Sequence, residues 1–280
     1  MRLRGTIGVV TGASSGIGRA VALDLARQGV HLALVARDAV ALGEVATLAA
    51  VHGVRTLVVP LDVADAAAVA AGCARIREQL GEPDLLVNAA GFAVWKPFLD
   101  VDVDEHRQMM DVNYWGTFHC LRELLPGMRA RGRGGIVNVS AGTGTFALAV
   151  TSGFSASKFA VRGLSEALYR ELRGSGVQVS CLHPGSVRTP FWDDGRIPPA
   201  GLPAIVRYAP KLSPAAVARQ VRYCLWFGFP VRTIPIFVAF LARLDAIWVR
   251  LADLVLWKWF VPAALALVGL RLVARRLGVL

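Results

Sequence analysis

With 280 residues the chain can bury a sizeable core unaided, and its four cysteines, Cys73, Cys120, Cys181 and Cys224, are too scattered for a disulfide framework or a zinc set. Apolar residues make up 55% of the sequence and charged residues 18%; of the net charge of +11, most sits at one end, because residues 1–206 carry 20 basic and 18 acidic side chains and residues 207–280 carry 11 basic and 2 acidic. That basic segment is also rich in Leu, Val, Ala, Trp and Phe, which fits an anionic membrane surface and argues against a nucleic-acid partner.

The N-terminus, MRLRGTIGVV, runs straight into an apolar strand without a cleavable signal. The cysteines read as reduced, buried thiols, so a cytoplasmic location is expected. Short apolar runs follow at 6–12 (TIGVVTG), 30–37 (VHLALVAR), 55–63 (RTLVVPLDV), 83–91 (PDLLVNAAG), 134–141 (GGIVNVSA) and 177–185 (VQVSCLHPG). Between them lie stretches of helical period such as RAVALDLARQG and VAAGCARIREQL. Apolar strands alternating with helices predict an α/β fold, a doubly wound parallel sheet (a Rossmann fold) covered on both faces. The pattern holds to residue 236, where FPVRTIPI can add a last edge strand, so residues 1–236 form one expected domain and 237–280 a helical extension.

VVTGASSGIGRAV places Gly12, Gly16 and Gly18 between the first strand and a helix. Glycines there allow a tight turn and let a pyrophosphate approach the positive end of the helix, so the loop predicts dinucleotide binding. At the end of the second strand, where an NAD-preferring site keeps a carboxylate, stand Ala36 and Arg37. A guanidinium suits a 2′-phosphate, which favours NADP(H) over NAD(H); Asp38 beside it leaves open a plain solvated arginine. Ser14 is within reach of the same phosphate.

The spacing Thr-Gly-x-x-x-Gly-x-Gly resembles the short-chain dehydrogenases/reductases, and further motifs follow in the family's order up to about residue 190. LDV at 61–63 resembles the family's adenine-side Asp, NAAG at 88–91 its Asn-Asn-Ala-Gly motif with Ala89 in place of the second Asn, and HPGSVRT at 183–189 its Pro-Gly segment. The resemblance implies a cofactor site of Gly12, Ser14, Ser15, Gly16, Ile17, Gly18, Arg37, Asp62, Val63, Asn88, Ala89, Gly91, Lys158, Val187 and Thr189. It also implies a catalytic set of Asn113, Ser140, Lys158 and a tyrosine four residues before the lysine. In that set the tyrosine passes a proton to the substrate oxygen, the serine polarises it, the lysine holds the nicotinamide ribose, and the asparagine supports a water chain to the lysine. Dimers or tetramers are the family's habit.

At the tyrosine position this chain has Phe154. The ring is kept and the acid is lost, a change worth roughly 10²–10⁴-fold in rate. Three readings stay open: an introduced substitution, a natural loss in a protein that senses or scaffolds NADP(H), or a substitute hydroxyl from Ser155, Ser152 or Thr151. His183 reads as a packed strand-end residue, while Phe191 and Trp192 can line an apolar substrate pocket. The implied function is an oxidoreductase acting on the carbonyl or secondary alcohol of a lipophilic molecule, of steroid, polyketide or lipid type. The alternative is a non-catalytic NADP(H)-binding sensor or scaffold.

In residues 238–280 the longest uncharged run, 259–270, is short of the roughly 20 residues that span a bilayer. Arg243, Arg250, Asp253 and Lys258 share an arc of about 140° on a helix, and Arg271, Arg275 and Arg276 share another. Pro262 separates two expected helices, and Trp248, Trp257 and Trp259 suit a headgroup layer. This predicts helices lying on the inner face of a membrane, with an oligomer interface or a true span as the other readings.

Overall fold

The computed structural model describes residues 2–193, 195–197 and 202–247. The tail features from Trp248 onward lie outside the described residues. All six apolar runs form strands: β1 (Ile7–Thr11), β2 (His31–Ala36), β3 (Thr56–Pro60), β4 (Leu85–Asn88), β5 (Gly134–Val139) and β6 (Val177–Pro184). The expected edge strand forms too, as β7 (Val231–Ile234). Every pairing is parallel, in the order β3-β2-β1-β4-β5-β6-β7.

Alternation along the strands decides which layer each side chain joins. Val10, Leu32, Leu34, Leu85 and Val87 point into one layer, against α1 (Gly16–Arg27), α2 (Ala39–Ala50) and α8 (Pro214–Phe227). Val9, Ala33, Val35, Leu86 and Ile136 point into the other, against α3 (Ala66–Gln79), α5 (Gly116–Ala130) and α6 (Ser152–Glu171). Both faces are therefore dry, as parallel sheets require. A buried polar chain crosses the second layer: Asn88 Nδ2 donates to Asn138 Oδ1 at 2.8 Å, and Asn138 Nδ2 to Ser165 Oγ at 2.9 Å. It ties β4, β5 and α6 together.

Strand order reverses between β1 and β4, which opens a crevice beyond their C-terminal ends. Thr11 Oγ1 fixes its floor by accepting the Ala89 and Ala90 N–H groups, each at 3.1 Å. Between α4 (Val103–Met110) and α5, residues Asp111–Trp115 widen into a π-helical turn, and the extra residue rolls Asn113 fully inward. α7 (Ala204–Tyr208) and α9 (Ile236–Ile247) close the crevice from above. The domain boundary drawn at residue 236 thus falls at the first residue of α9, a helix whose Val238 and Leu241 are buried among the aromatic side chains of that crevice. No helix among the described residues is long and apolar enough to cross a membrane.

All four cysteines are buried. Burial raises the thiols of Cys73 and Cys224 to about 11 and that of Cys181 to about 12, and pushes Cys120 higher still.

Candidate active site

A cavity of about 530 Å³ runs along the C-terminal edge of the sheet. One half is a backbone cradle built by the glycine loop. Gly12 and Gly16 hold φ of +66° and +53°, a region side chains resist. A Cβ on Gly18 would lie 2.1 Å from the Gly12 carbonyl oxygen, and one on Gly16 would lie 3.3 Å from the Thr189 side chain. Ser15 is the N-cap of α1 but its side chain makes no capping bond, leaving the first turn's amides for an anion. Ser14, Ile17, Val63, Ala89, Gly91, Val187 and Thr189 line the same cavity. These residues fit a dinucleotide.

At the outer end Arg37 and Asp62 meet at 3.9 Å, both well exposed, a contact too loose and too wet to immobilise the guanidinium. The Asp38 carboxylate accepts the Ala41 N–H at 3.0 Å and caps α2. One of its oxygens is thus held by a helix N-terminus, and Arg37 and Asp38 both stand at the cavity mouth.

The inner half is built on α6. Phe154 and Lys158 lie four residues apart on its buried face, with Lys158 Nζ 5.7 Å from the centre of the Phe154 ring. Lys158 Nζ donates to the Val139 carbonyl at 3.2 Å. Burial pulls its pKa down from 10.5 to about 8. A Cβ on Gly91 would sit 3.1 Å from that ammonium and 2.6 Å from Asn113 Oδ1, so glycine there keeps the lysine's end of the cavity open.

Three of the expected site residues take other parts. Ser140 does not offer its proton to a substrate: its hydroxyl donates to the Lys158 carbonyl at 2.9 Å. Parity along the chain turns neighbours in opposite directions, and it is Ala141 that packs among the side chains around Phe154. Asn88 does not line the cavity; its amide is spent on Asn138 inside the sheet. Asn113 also lies behind the cavity wall: it accepts from the Phe92 N–H at 3.1 Å and donates to the Phe92 carbonyl at 3.0 Å and to Ser157 Oγ at 2.9 Å, clamping the loop after β4.

Of the hydroxyls near Phe154, Ser152 is exposed and does not line the cavity, and the other two are engaged. Thr151 Oγ1 donates to the Leu148 carbonyl at 2.8 Å and lies 2.7 Å from Ser155 Oγ, so neither is turned to the cavity as an acid. His183 is fully buried, with its pKa pushed down to about 4 mainly by desolvation, and it packs beneath Ala141.

Around Phe154 stands an aromatic cage. Trp95 lies 6.1 Å and Phe191 5.9 Å from its ring centre, and Trp192 meets Trp95 edge-on at 5.5 Å. Phe146, Leu148, Val206 and Val238 complete the wall. Phe191 and Trp192 are foreseeable from their place after the Pro-Gly segment. Trp95, Phe146 and Val238 are not: they sit in loops and in a helix that sequence periodicity assigns elsewhere.

Comparison with known proteins places this geometry. The family model of short chain dehydrogenase matches residues 6–197. The chain is 37% identical to glycine betaine reductase ATRR of Emericella nidulans across 80% of its own length, but that covers only 18% of the much longer relative. It is 35% identical to the 3-dehydrosphinganine reductase of Danio rerio across 79% of this chain and 68% of that one. A short chain dehydrogenase/reductase from Burkholderia phymatum in complex with NAD superposes with a TM-score of 0.82 at 28% identity, over 90% of this chain and 96% of that one. A short-chain dehydrogenase from Sphingobium yanoikuyae in complex with NADPH superposes at 0.76 and 29% identity, over 86% and 92%.

The buried lysine gives a test. Its folded pKa lies below its unfolded one, so the native state binds fewer protons between pH 8 and 10.5 and stability climbs with pH through that window. Below pH 8 the buried charge costs about 3 kcal/mol. Lys158→Met is expected to be about 1–3 kcal/mol more stable than the parent to urea at pH 7 without cofactor. That advantage should shrink by pH 10, and nucleotide binding should be lost at both values.

Proposed function

The chain belongs to the short chain dehydrogenase family, and on that premise we propose that it is an NADP(H)-binding oxidoreductase for the carbonyl or secondary alcohol of a lipophilic molecule, slow as written because Phe154 has no proton to give. The observation that carries this reading is the continuity of one cavity: a glycine cradle at one end, Lys158 at the centre and an aromatic cage at the other. When bound, the cofactor supplies or accepts hydride. The chain's own residues do the rest. The α1 amides and the glycine loop receive phosphate charge, Lys158 Nζ reaches the ribose, and Gly91 leaves room for it. Trp95, Phe146, Phe191 and Trp192 exclude water and hold an apolar body. The similarity to a 3-dehydrosphinganine reductase supports a long-chain lipid ketone as the substrate class.

A second reading, a non-catalytic sensor or scaffold, is favoured by one specific finding: both hydroxyl positions fail together, Phe154 lacking one and Ser140 using its own on Lys158. Restoring the acid separates the two. Phe154→Tyr would place a phenol over the Lys158 ammonium, whose charge lowers a tyrosine pKa. We expect Phe154→Tyr to speed NADPH oxidation with long-chain ketones by about 10²–10⁴-fold with NADPH affinity unchanged. If both forms bind NADPH and neither turns over, the sensor reading stands.

The preference for NADP(H) rests on Arg37, whose neighbour Asp38 also lines the cavity but spends one carboxylate oxygen on capping α2. Arg37→Ser should reduce the ratio of NADPH to NADH affinity about tenfold or more, the worth of one charge-assisted hydrogen bond, as read by fluorescence titration. An unchanged ratio would remove Arg37 from the phosphate site.

Seating on the cytoplasmic face of a membrane is proposed from the basic, apolar 207–280 segment together with α9, whose Ile236 and Phe240 share one helix face and are 86% and 60% exposed. Homodimers or homotetramers remain the expected assembly. Ile236→Glu with Phe240→Glu should weaken co-sedimentation with anionic vesicles several-fold. Absence of vesicle binding by the parent chain would transfer these residues to a subunit interface.

A further inference from the structure

Primary amines are scarce in this chain: of its 31 basic side chains only Lys96, Lys158, Lys211 and Lys258 are lysines. Arginine keeps its proton at any ordinary pH, whereas a lysine relieved of its proton is a nucleophile. Lys96 is tied to Glu105 at 2.6 Å, a bond that raises its pKa and keeps it protonated. Lys211 lies 5.0 Å over the Trp192 ring, and Lys258 is outside the described residues. Lys158 is the lysine whose side chain lines the cavity and is buried there. Its Nζ is met by the Val139 carbonyl at 3.2 Å and, among the described residues, by no carboxylate.

The surroundings suit that amine to attack on a carbonyl carbon. Phe154 presents its ring 5.7 Å from Nζ, with Trp95 and Phe191 packed against that ring. Phe154 has no hydroxyl with which the amine could share a proton. Position 91 is glycine, so no side chain covers the amine where a Cβ would stand 3.1 Å from it. Burial lowers the Lys158 pKa to about 8, which leaves about a tenth of it neutral at pH 7, against about one part in three thousand for an exposed lysine.

We propose that, while the nucleotide is absent, Lys158 captures lipophilic aldehydes covalently and reversibly as an imine. This rests on the reading of the cavity as a carbonyl site and adds a reaction that needs no phenol. The neutral Nζ attacks the carbonyl carbon, the C=O bond gives way to C=N, and both amine protons leave on the oxygen as water. Nothing is oxidised or reduced. The imine and the nicotinamide ribose claim the same nitrogen, so aldehyde capture and nucleotide binding exclude one another.

The full chain, free of nucleotide, is incubated at neutral pH with 6-methoxy-2-naphthaldehyde, with and without saturating NADP+. Sodium cyanoborohydride then fixes any imine as a secondary amine, which peptide mass spectrometry locates. Entry into the cavity is read separately by tryptophan quenching with 2-acetyl-6-methoxynaphthalene, a ketone of the same body that is slow to form imines, and NADP+ affinity is measured alongside. Label at Lys158 should exceed that at any other amine by about tenfold or more, and bound NADP+ should cut it by about tenfold or more. Lys158→Arg, checked for folding by circular dichroism, should lose this label while the other lysines keep their background; the first two readouts use the parent chain and do not depend on that variant. Entry of the ketone without label at Lys158, or label spread evenly over the lysines, overturns the imine and leaves the carbonyl-site reading standing. No entry of the ketone and no label overturns both. Label undiminished while NADP+ is bound overturns the shared nitrogen.

Discussion

Lys158 carries an ammonium group to a place where little water can follow it, and the surrounding structure is arranged around that fact. A charge in such surroundings must be met by dipoles or be neutralised. The Val139 carbonyl meets it at the end of β5, and the Phe154 ring offers its face from one helical turn away. Ser140 anchors the backbone of the lysine itself, so helix and strand keep their spacing. Glycine at position 91 leaves the ammonium unobstructed. The Asn88–Asn138–Ser165 chain performs the same service one layer down, locking β4 and β5 to α6. What results is a helix fixed in rotation, with positions 154 and 158 aimed at one cavity.

Much of this is legible in the sequence, for identifiable reasons. The strands announce themselves because a sheet buried on both faces needs continuous apolar runs, and the cradle does so because only glycine tolerates the backbone contacts at positions 12 and 18. Position 154 is readable from its distance to Lys158. Parity is harder. Whether Ser140 or Ala141 packs toward Phe154 depends on where β5 ends and the next turn begins, and a slip of one residue reverses the answer. Asn88 and Asn113 look like site residues because amides near a cofactor usually touch it. Only the hydrogen bonds reveal that both serve the framework. Trp95 and Phe146 have no period to betray them, and α9 reads as tail because its apolar face carries no mark of what it covers.

The placement of polar groups divides the cavity by purpose. At the nucleotide end the groups are backbone amides and exposed charges, which tolerate water and act over distance. Around Phe154 they are few, buried and short-ranged, and the aromatic rings leave a ligand little choice of orientation. The benzene ring at position 154 belongs to the second of these regions. Phe154 meets Trp95, Phe191 and Lys158, and so shapes the cage while offering no proton.

The burial of all four thiols has a consequence for the conditions under which the protein operates. A thiolate is the form that peroxides and electrophiles attack, and burial holds Cys73, Cys181 and Cys224 at about 11 to 12 and Cys120 above that. Sulfenic acid formation, glutathione capping and alkylation therefore have no foothold on the native state. The nicotinamide couple can swing during oxidative stress without the scaffold being chemically marked by it. A cysteine newly placed on the surface would then be the one reactive thiol for a covalent label.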